Sequence, residues 1–264
     1  MLKPSVCIEM FWPEIALADR IPRVAALGYP AFEFWGWWNK DLDAIERAVK
    51  DTGLAMAVCC VKTAFSGAPT SMLTPQGKAP FVQAVKDCLT VRDRLGCTRF
   101  IVTTGNELKD VPRAAQHAAC VDALKAAAPL AEDEGITLVL EPLNLLVDHA
   151  GYYLATSAEG FQVLHEVGSP AIKLLFDIYH QQITEGNLSL NIFNHIDQIG
   201  HFHVANHPGR HEPMLGEINY PYLFSRIAQT AYDAFIGLEF SPSDADNTEG
   251  ILKEVLDGVR RLDA

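Results

Sequence analysis

Short apolar runs alternate with longer amphipathic segments along the whole chain of 264 residues. In the longer segments apolar residues recur with helical spacing, and we predict helices there, for example at 42–52, 80–95, 113–134 and 158–167. The short runs predict eight strands, at 6–10, 31–35, 55–61, 99–103, 137–141, 172–177, 201–204 and 236–240. A glycine follows several of the helical segments directly before the next strand (Gly28, Gly53, Gly96 and Gly135). Glycine there indicates a left-handed helix C-cap, so the punctuation supports the alternation of helix and strand.

This alternation predicts parallel strands joined by crossover helices. Eight repeats without a break in composition favour a closed (β/α)8 TIM barrel, a fold that needs about 250 residues. No G-x-G-x-x-G motif follows the first strand, which removes the usual sign of a dinucleotide-binding open sheet. We therefore predict one α/β domain over 1–264, with its long irregular loop at 205–219 as a candidate functional segment.

Composition and charge narrow the possible partners. The 33 acidic and 21 basic residues give a formal charge of −12, so nucleic acid is a poor partner. The chain has no apolar run long enough for a membrane span and no signal-peptide pattern at its N-terminus. The six cysteines have no C-x-x-C spacing, and we expect free thiols in a reducing cytoplasm. A small molecule is the expected partner, bound by a homo-oligomer.

Metal-competent side chains occur at the carboxyl ends of four consecutive predicted strands. These residues are Glu141, Asp177, His203 and Glu239. Active sites of (β/α)8 barrels lie at this end of the strands. Three carboxylates and one imidazole form a hard, oxygen-rich donor set, which suits one divalent ion such as Mn²⁺, Mg²⁺ or Co²⁺.

Each of these four residues, taken alone, could have a purely structural role. A carboxylate at a strand end is more often a helix cap, and a single histidine is more often a core residue with its own partner. Glu239 is harder to explain in this way, because it lies between Leu238 and Phe240 where an unpaired carboxylate would be costly. The coincidence of all four on adjacent strands favours a metal site.

Three segments carry a resemblance to a known family. They are EPLN at 141–144, FDIYH at 176–180 and HPGRHEPMLGEINY at 207–220. With the four metal-competent residues they resemble the hydroxypyruvate isomerase family of the xylose-isomerase-like barrel superfamily, and the similarity runs over essentially the whole chain. The Glu–Asp–His–Glu quartet is also similar to that of ketose 3-epimerases. Many hydroxypyruvate isomerases have glutamine at the position of His203, and the segment at 145–154 also departs from their pattern.

The resemblance implies a role for each matching residue. Glu141 and Glu239 are implied as metal ligands and as the acid–base pair, with Asp177 and His203 completing the metal shell. It also implies that His180 bonds a substrate oxygen and that Arg210 holds a carboxylate or a distal hydroxyl. Two further candidate site residues are chosen only by their position after a predicted strand. His149 lies in the loop after the fifth strand, and Trp35 follows the second strand, where it could wall the mouth of the site.

The expected chemistry is proton transfer through an enediolate. A divalent ion stabilises the enediolate that forms when a proton leaves the carbon next to a carbonyl. Return of the proton to the neighbouring carbon gives an isomerase, whereas its return to the same carbon from the other face gives a 3-epimerase. An inosose-type dehydratase and a non-catalytic ligand-binding barrel are further alternatives. A DNA-cleaving endonuclease of this superfamily would need more histidine ligands and a basic face, and a hydride-shift isomerase would need a second metal and a nearby lysine.

Overall fold

The computed structural model describes residues 1–262 and has nine parallel strands in one sheet. The last two positions of the predicted domain lie outside the described residues. The strands are β1 (Lys3–Cys7), β2 (Ala31–Glu33), β3 (Ala55–Met56), β4 (Cys59–Cys60), β5 (Arg99–Val102), β6 (Thr137–Leu140), β7 (Ile172–Asp177), β8 (Ile199–Val204) and β9 (Phe235–Leu238). Their order in the sheet is β3-β2-β1-β9-β8-β7-β6-β5-β4.

Helices connect the strands and cover the outside of the sheet. They are α1 (Leu17–Ala26), α2 (Leu42–Thr52), α3 (Lys78–Asp87), α4 (Leu89–Leu95), α5 (Arg113–Asp133), α6 (Ser157–Val167), α7 (Ile178–Thr184), α8 (Leu188–Phe193), α9 (Tyr220–Ala228) and α10 (Thr248–Leu262). Helices α2 and α4 end at Gly53 and Gly96 in the left-handed conformation. The glycine punctuation thus has the conformation expected from the sequence.

The two end strands of the sheet, β3 and β4, follow each other directly in the chain. The predicted third strand at 55–61 is divided between them, because its first part pairs with β2 and its second part with β5. Between these pairings the Ala57 N–H donates to the Phe32 carbonyl at 2.8 Å, and the Cys60 N–H donates to the Trp35 carbonyl at 2.9 Å. The ring therefore closes through one strand that changes partners, and the predicted TIM barrel is confirmed.

Most other bounds differ from the predicted ones by one or two residues, and two elements differ more. β1 ends at Cys7, where the chain turns and the Met10 N–H donates to the Cys7 carbonyl, so the predicted strand at 6–10 begins and ends too late. The predicted helix at 80–95 is two helices, α3 and α4, which meet at Cys88. Such shifts follow from backbone pairing and turns that an apolar pattern does not specify.

The barrel interior is apolar on one side and polar on the other. The segment between β3 and β4 and the strands β5 to β7 contribute a small buried cluster of Val58, Ile101, Val139 and Leu175. Strands β1, β2 and β8 instead direct buried polar side chains inward, namely Ser5, Glu33, His201 and His203. The larger apolar core lies outside the barrel, between the strands and the helices. These four polar side chains lie beneath the carboxyl ends of the strands and form the polar floor of a site located there.

Two features of the structure bear on the composition-based expectations. All six cysteines are free thiols, five of them buried. Within residues 1–262 no helix combines the length and apolar character needed to cross a membrane.

Candidate active site

Strand periodicity directs the four predicted residues into the barrel. Side chains alternate along a strand, so a residue two positions from an inward-facing one also faces inward. Glu141 and Asp177 each follow by two positions an interior residue, Val139 and Leu175. Phe202 and Val204 lie in the outer core, so His203 between them faces inward. Glu239, directly after β9, follows the same rule, because Ile236 and Leu238 belong to the outer core. The four side chains therefore converge.

The first three residues form a compact group of possible metal ligands. Glu141, Asp177 and His203 are buried, and one donor atom of each lies within 4.8 Å of the others. Nδ1 of His203 is 3.4 Å from a carboxylate oxygen of Glu141 and 3.4 Å from Oε2 of Glu239. Glu239 thus joins the group through the same imidazole nitrogen.

Burial and charge set the protonation of this group. Burial opposes a charged imidazole, but the carboxylates of Glu239, Glu141 and Glu33 outweigh it and raise the pKa of His203 well above its ordinary value. Burial raises the pKa of Glu141 to about 7, although His203 opposes the shift. Glu141 can therefore exchange a proton near neutral pH, as an acid–base group must.

Asp177 and His180 are linked through the first turn of α7. Oδ1 of Asp177 accepts the His180 backbone N–H at 3.0 Å and caps the helix, which leaves Oδ2 for other contacts. Asp177 is therefore a helix cap and also a member of the ligand group. Nε2 of His180 lies 3.5 Å from that Oδ2, and its Nδ1 lies 2.6 Å from the amide nitrogen of Asn144. Since an amide nitrogen donates, Nδ1 accepts and Nε2 carries the hydrogen. Burial, with Arg210 nearby, lowers the pKa of His180 well below its ordinary value, so the ring is a neutral donor.

Arg210 and Trp35 both bond Glu239. Nη2 of Arg210 lies 2.6 Å from Oε2 of Glu239, and Nε1–H of Trp35 donates to Oε1 at 2.7 Å. The guanidinium lies over the ring of Tyr179, 5.1 Å from its centroid. Arg210 has a φ of 54°, a left-handed conformation that is uncommon for a residue with a side chain. The loop thus turns this side chain into the site and not towards solvent.

These residues line a cavity of about 300 Å³ at the carboxyl ends of the strands. Besides the charged groups, its wall includes Trp38, Phe65 and Leu143. His149 also lines it and contacts the His180 ring, with 5.2 Å between the centroids. Every residue predicted for the site except Asp177 lies on this cavity wall, and Asp177 contacts it through His180. The small volume and few converging polar groups are typical of a small-molecule site.

The donor set fits a hard divalent cation. Nδ1 of His203 is buried and makes no hydrogen bond of good geometry with any residue from 1 to 262, so a cation that displaced its hydrogen would find a ligand atom without another partner. Three carboxylates surround it, against one imidazole and one guanidinium. A carboxylate excess in a buried pocket is costly unless a cation offsets it. Glu141, Asp177 and His203, with Glu239 beside them, could hold that cation.

The polar floor of the site includes a functional candidate, Glu33, that was not predicted from the sequence. Glu33 in β2 is buried, and its carboxylate lies 3.0 Å from Nε2 of His203 and 3.2 Å from Nε2 of His201. The signal that singled out Glu239 also applies to Glu33, since it is a lone carboxylate between Phe32 and Phe34. Asn144 was likewise seen only as part of the EPLN segment.

Comparison with known proteins identifies the family of the chain. A family model described as xylose isomerase-like TIM barrel matches residues 21–262. The chain belongs to this family. Among similar curated proteins is a 2-oxo-tetronate isomerase from Cupriavidus necator, 32% identical over 243 residues that cover 89% of this chain and 91% of that protein. A putative hydroxypyruvate isomerase from Homo sapiens is 30% identical, over 95% of this chain and 93% of that protein.

A solved structure is similar over nearly the full length. The crystal structure of a protein described as AP endonuclease, family 2, from Brucella melitensis superposes with a TM-score of 0.89 at 26% identity. The match covers 97% of this chain and 99% of that one. The resemblance to the hydroxypyruvate isomerase branch of the xylose isomerase-like family, inferred from the loop segments, is confirmed by these relatives.

Proposed function

We propose that this chain is a metal-dependent isomerase of small hydroxy-keto acids, acting by proton transfer through an enediolate. The observation that carries the proposal is Arg210, whose guanidinium lies inside the cavity beside the acid–base candidate Glu239. A carboxylate at one end of a small substrate would find a matching planar donor there. The names of the relatives, hydroxypyruvate isomerase and 2-oxo-tetronate isomerase, fit a substrate of this kind.

The metal would be held by Glu141, Asp177, His203 and Glu239. Mn²⁺, Mg²⁺ and Co²⁺ are the candidates, because the set has three carboxylates and no thiolate. When bound, such an ion polarises the substrate carbonyl and stabilises negative charge on the adjacent oxygens. In its absence the set is only partly balanced by Arg210, as the contact with Glu239 indicates.

The two glutamates would move the proton. Glu141 has a pKa of about 7 because it is buried, so it can hold or release a proton at neutral pH. Glu239 has both oxygens fixed, one by Trp35 and one by Arg210, which aims its carboxyl group at the cavity. They come from the ends of β6 and β9, on either side of His203, so a substrate between them can be deprotonated on one carbon and reprotonated on the next.

Three further residues would orient the substrate. His180 presents a neutral Nε2–H, which suits a hydrogen bond to a hydroxyl or carbonyl oxygen. His149 and Trp35 form part of the wall, and burial lowers the pKa of His149 so that a neutral ring is favoured. With His203 given over to the metal, Arg210 is the cationic side chain of the cavity wall available to a substrate carboxylate, which supports a pose with that carboxylate at one end.

Deuterium incorporation tests the reaction directly. The protein with Mn²⁺ is incubated in D₂O with hydroxypyruvate, with a 2-keto-tetronate and with neutral ketoses. We expect a keto acid to be converted, with deuterium at the carbon that becomes the new hydroxyl-bearing centre. Conversion of ketoses alone, with deuterium and inversion at the same carbon, would replace the proposal by the alternative.

That alternative is a ketose 3-epimerase, and one observation favours it. His203 occupies a position where many hydroxypyruvate isomerases have glutamine, and it gives the Glu–Asp–His–Glu quartet that resembles the epimerases. The same pair of glutamates could then serve opposite faces of one carbon. The two functions differ in the charge of the substrate, because a keto acid carries a carboxylate and a ketose does not. Arg210 is the residue that would bind this carboxylate.

Replacing Arg210 by lysine should therefore depend on the substrate. With a keto acid we expect the loss of about 1.5–3 kcal/mol, or about 10- to 150-fold in kcat/KM, because a point charge cannot reproduce paired N–H donors. Steady-state kinetics of Arg210→Lys give the value. Arg226→Lys is the control, since Arg226 packs on Phe193 and Tyr222 outside the cavity. An equal, small effect on keto acids and ketoses would contradict carboxylate recognition.

A further inference from the structure

A buried carboxylate, Glu33, lies beneath the metal-ligand candidates. It projects from β2 into the polar half of the barrel interior and is 1% exposed. The Ser5 hydroxyl donates to its Oε2 at 2.5 Å, and Nε2 of His201 lies 3.2 Å from the same oxygen. Its other oxygen, Oε1, lies 3.0 Å from Nε2 of His203. One carboxylate thus lies beside two imidazole rings and accepts a hydrogen bond from a hydroxyl.

The His203 ring separates this carboxylate from the ligand group. Nε2 faces Glu33, whereas Nδ1 faces Glu141 and Glu239 at 3.4 Å each. Carboxylates thus face both nitrogens and favour a doubly protonated ring while no ion is bound. When an ion displaces one hydrogen, the nearer Glu33 carboxylate favours keeping the remaining hydrogen on Nε2 and leaves the other nitrogen for the ion. In this ring that other nitrogen is Nδ1, the one that points into the cavity.

The backbone opposite Glu33 keeps space for it. Gly237 of β9 pairs in register with His203, and a Cβ at this position would overlap the Glu33 carboxylate and the edge of the His203 ring. A glycine within a strand weakens it and is often found where another group must approach closely. The close packing of Glu33 against His203 therefore depends on the lack of a side chain at this position.

We propose that Glu33 is a positioning residue that holds His203 with its hydrogen on Nε2 and its Nδ1 lone pair directed at the metal. The inference rests on the metal-binding part of the proposed function. Ser5 bonds Oε2 of Glu33 and Nε2 of His201 lies 3.2 Å from the same oxygen, so both support the carboxylate on the side that His203 does not contact. Partners that orient a metal-binding histidine typically affect metal affinity by about 10- to 100-fold.

A second metal ion is the competing interpretation of the same residues. Glu33, His201 and His203 offer donor atoms within 4.8 Å of one another. The Ser5 hydroxyl already occupies Oε2 of Glu33, and His203 would have to bind one ion through each nitrogen. Binding stoichiometry separates the two interpretations, since positioning needs one ion per chain and the competing site needs two.

Calorimetric titration with Mn²⁺ tests the proposal without any substrate. Glu33→Gln keeps the shape of the side chain and removes its charge, and we expect about 10- to 100-fold weaker Mn²⁺ binding with a stoichiometry of one in the wild type. Glu212→Gln is the matched control. Glu212 is also buried and also accepts a serine hydroxyl, from Ser243, but it does not line the cavity. Its Mn²⁺ affinity should equal that of the wild type.

The position of the hydrogen gives a second test on the unaltered protein. In ¹⁵N-histidine spectra of the wild type with saturating Mg²⁺, we expect the His203 hydrogen on Nε2, with the signal assigned by its loss in His203→Gln. A hydrogen on Nδ1, two Mn²⁺ ions per chain, or a folded Glu33→Gln with wild-type affinity would each overturn the proposal. A wild type that binds no Mn²⁺ would overturn the metal-dependent function as well, whereas normal binding with no isomerisation would overturn only the activity.

Discussion

Replacing Glu141 or Glu239 by glutamine should lower turnover by at least ~10³-fold in each case, because each change removes one of the two proposed acid–base groups and one proposed charged metal ligand. The amide keeps the size of the side chain but cannot accept the substrate proton. For Glu239 the change also disturbs the contacts with Arg210 and Trp35, which fix the carboxyl group in the cavity. For Glu141 it removes a group whose burial raises its pKa to about 7.

Turnover and metal content of the purified variants check this expectation together. Glu107→Gln is a suitable control, because Glu107 pairs with Arg113 at a position where both side chains are 45% exposed. That variant should keep wild-type turnover. If Glu239→Gln retained its metal and near-normal turnover, Glu239 would be a structural ligand and the proton would have to move through another group.

Removing the metal should abolish activity, and adding Mn²⁺, Co²⁺ or Mg²⁺ should restore it. The reason is the donor set, in which Glu141, Asp177 and His203 bring hard donor atoms within 4.8 Å of one another. Without the ion, Arg210 and the ring of His203 are already engaged by the carboxylates of the cavity, so the negative charge that develops on an enediolate is poorly offset. The loss should therefore exceed the effect of any single substitution outside the ligand set.

Dialysis against a chelator followed by elemental analysis and an activity assay measures the effect. Circular dichroism of the metal-free protein serves as the control, since an unfolded sample would lose activity for a different reason. Full turnover in folded protein shown to be free of metal would contradict the metal-dependent mechanism.

Much of the fold follows from the apolar pattern. Buried parallel strands need apolar runs and crossover helices need amphipathic ones, so eight repeats of this pattern predict a barrel before any contact is known. The exact bounds of a strand depend on its backbone pairing, which the apolar pattern does not specify. The predicted strand at 55–61 is divided into β3 and β4, because it closes the ring by exchanging β2 for β5 as its partner.

The sequence also determined which residues meet at the site. Glu141, Asp177, His203 and Glu239 could be brought together in advance because strands end at one rim and side chains alternate between two faces. Both rules can be applied to the sequence before any interatomic distance is known. His180 was predicted only from the family resemblance, and it reaches the site because α7 begins directly after Asp177.

Only the tertiary structure decided which groups touch across the barrel. Glu33 and His203 lie on β2 and β8, which are separated in the sheet by β1 and β9, so no local pattern relates them. Arg210 belongs to a loop whose backbone conformation turns its guanidinium towards Glu239. Contacts of this kind depend on the closure of the ring and on the path of one loop, whereas the pattern of strands depends only on the local sequence.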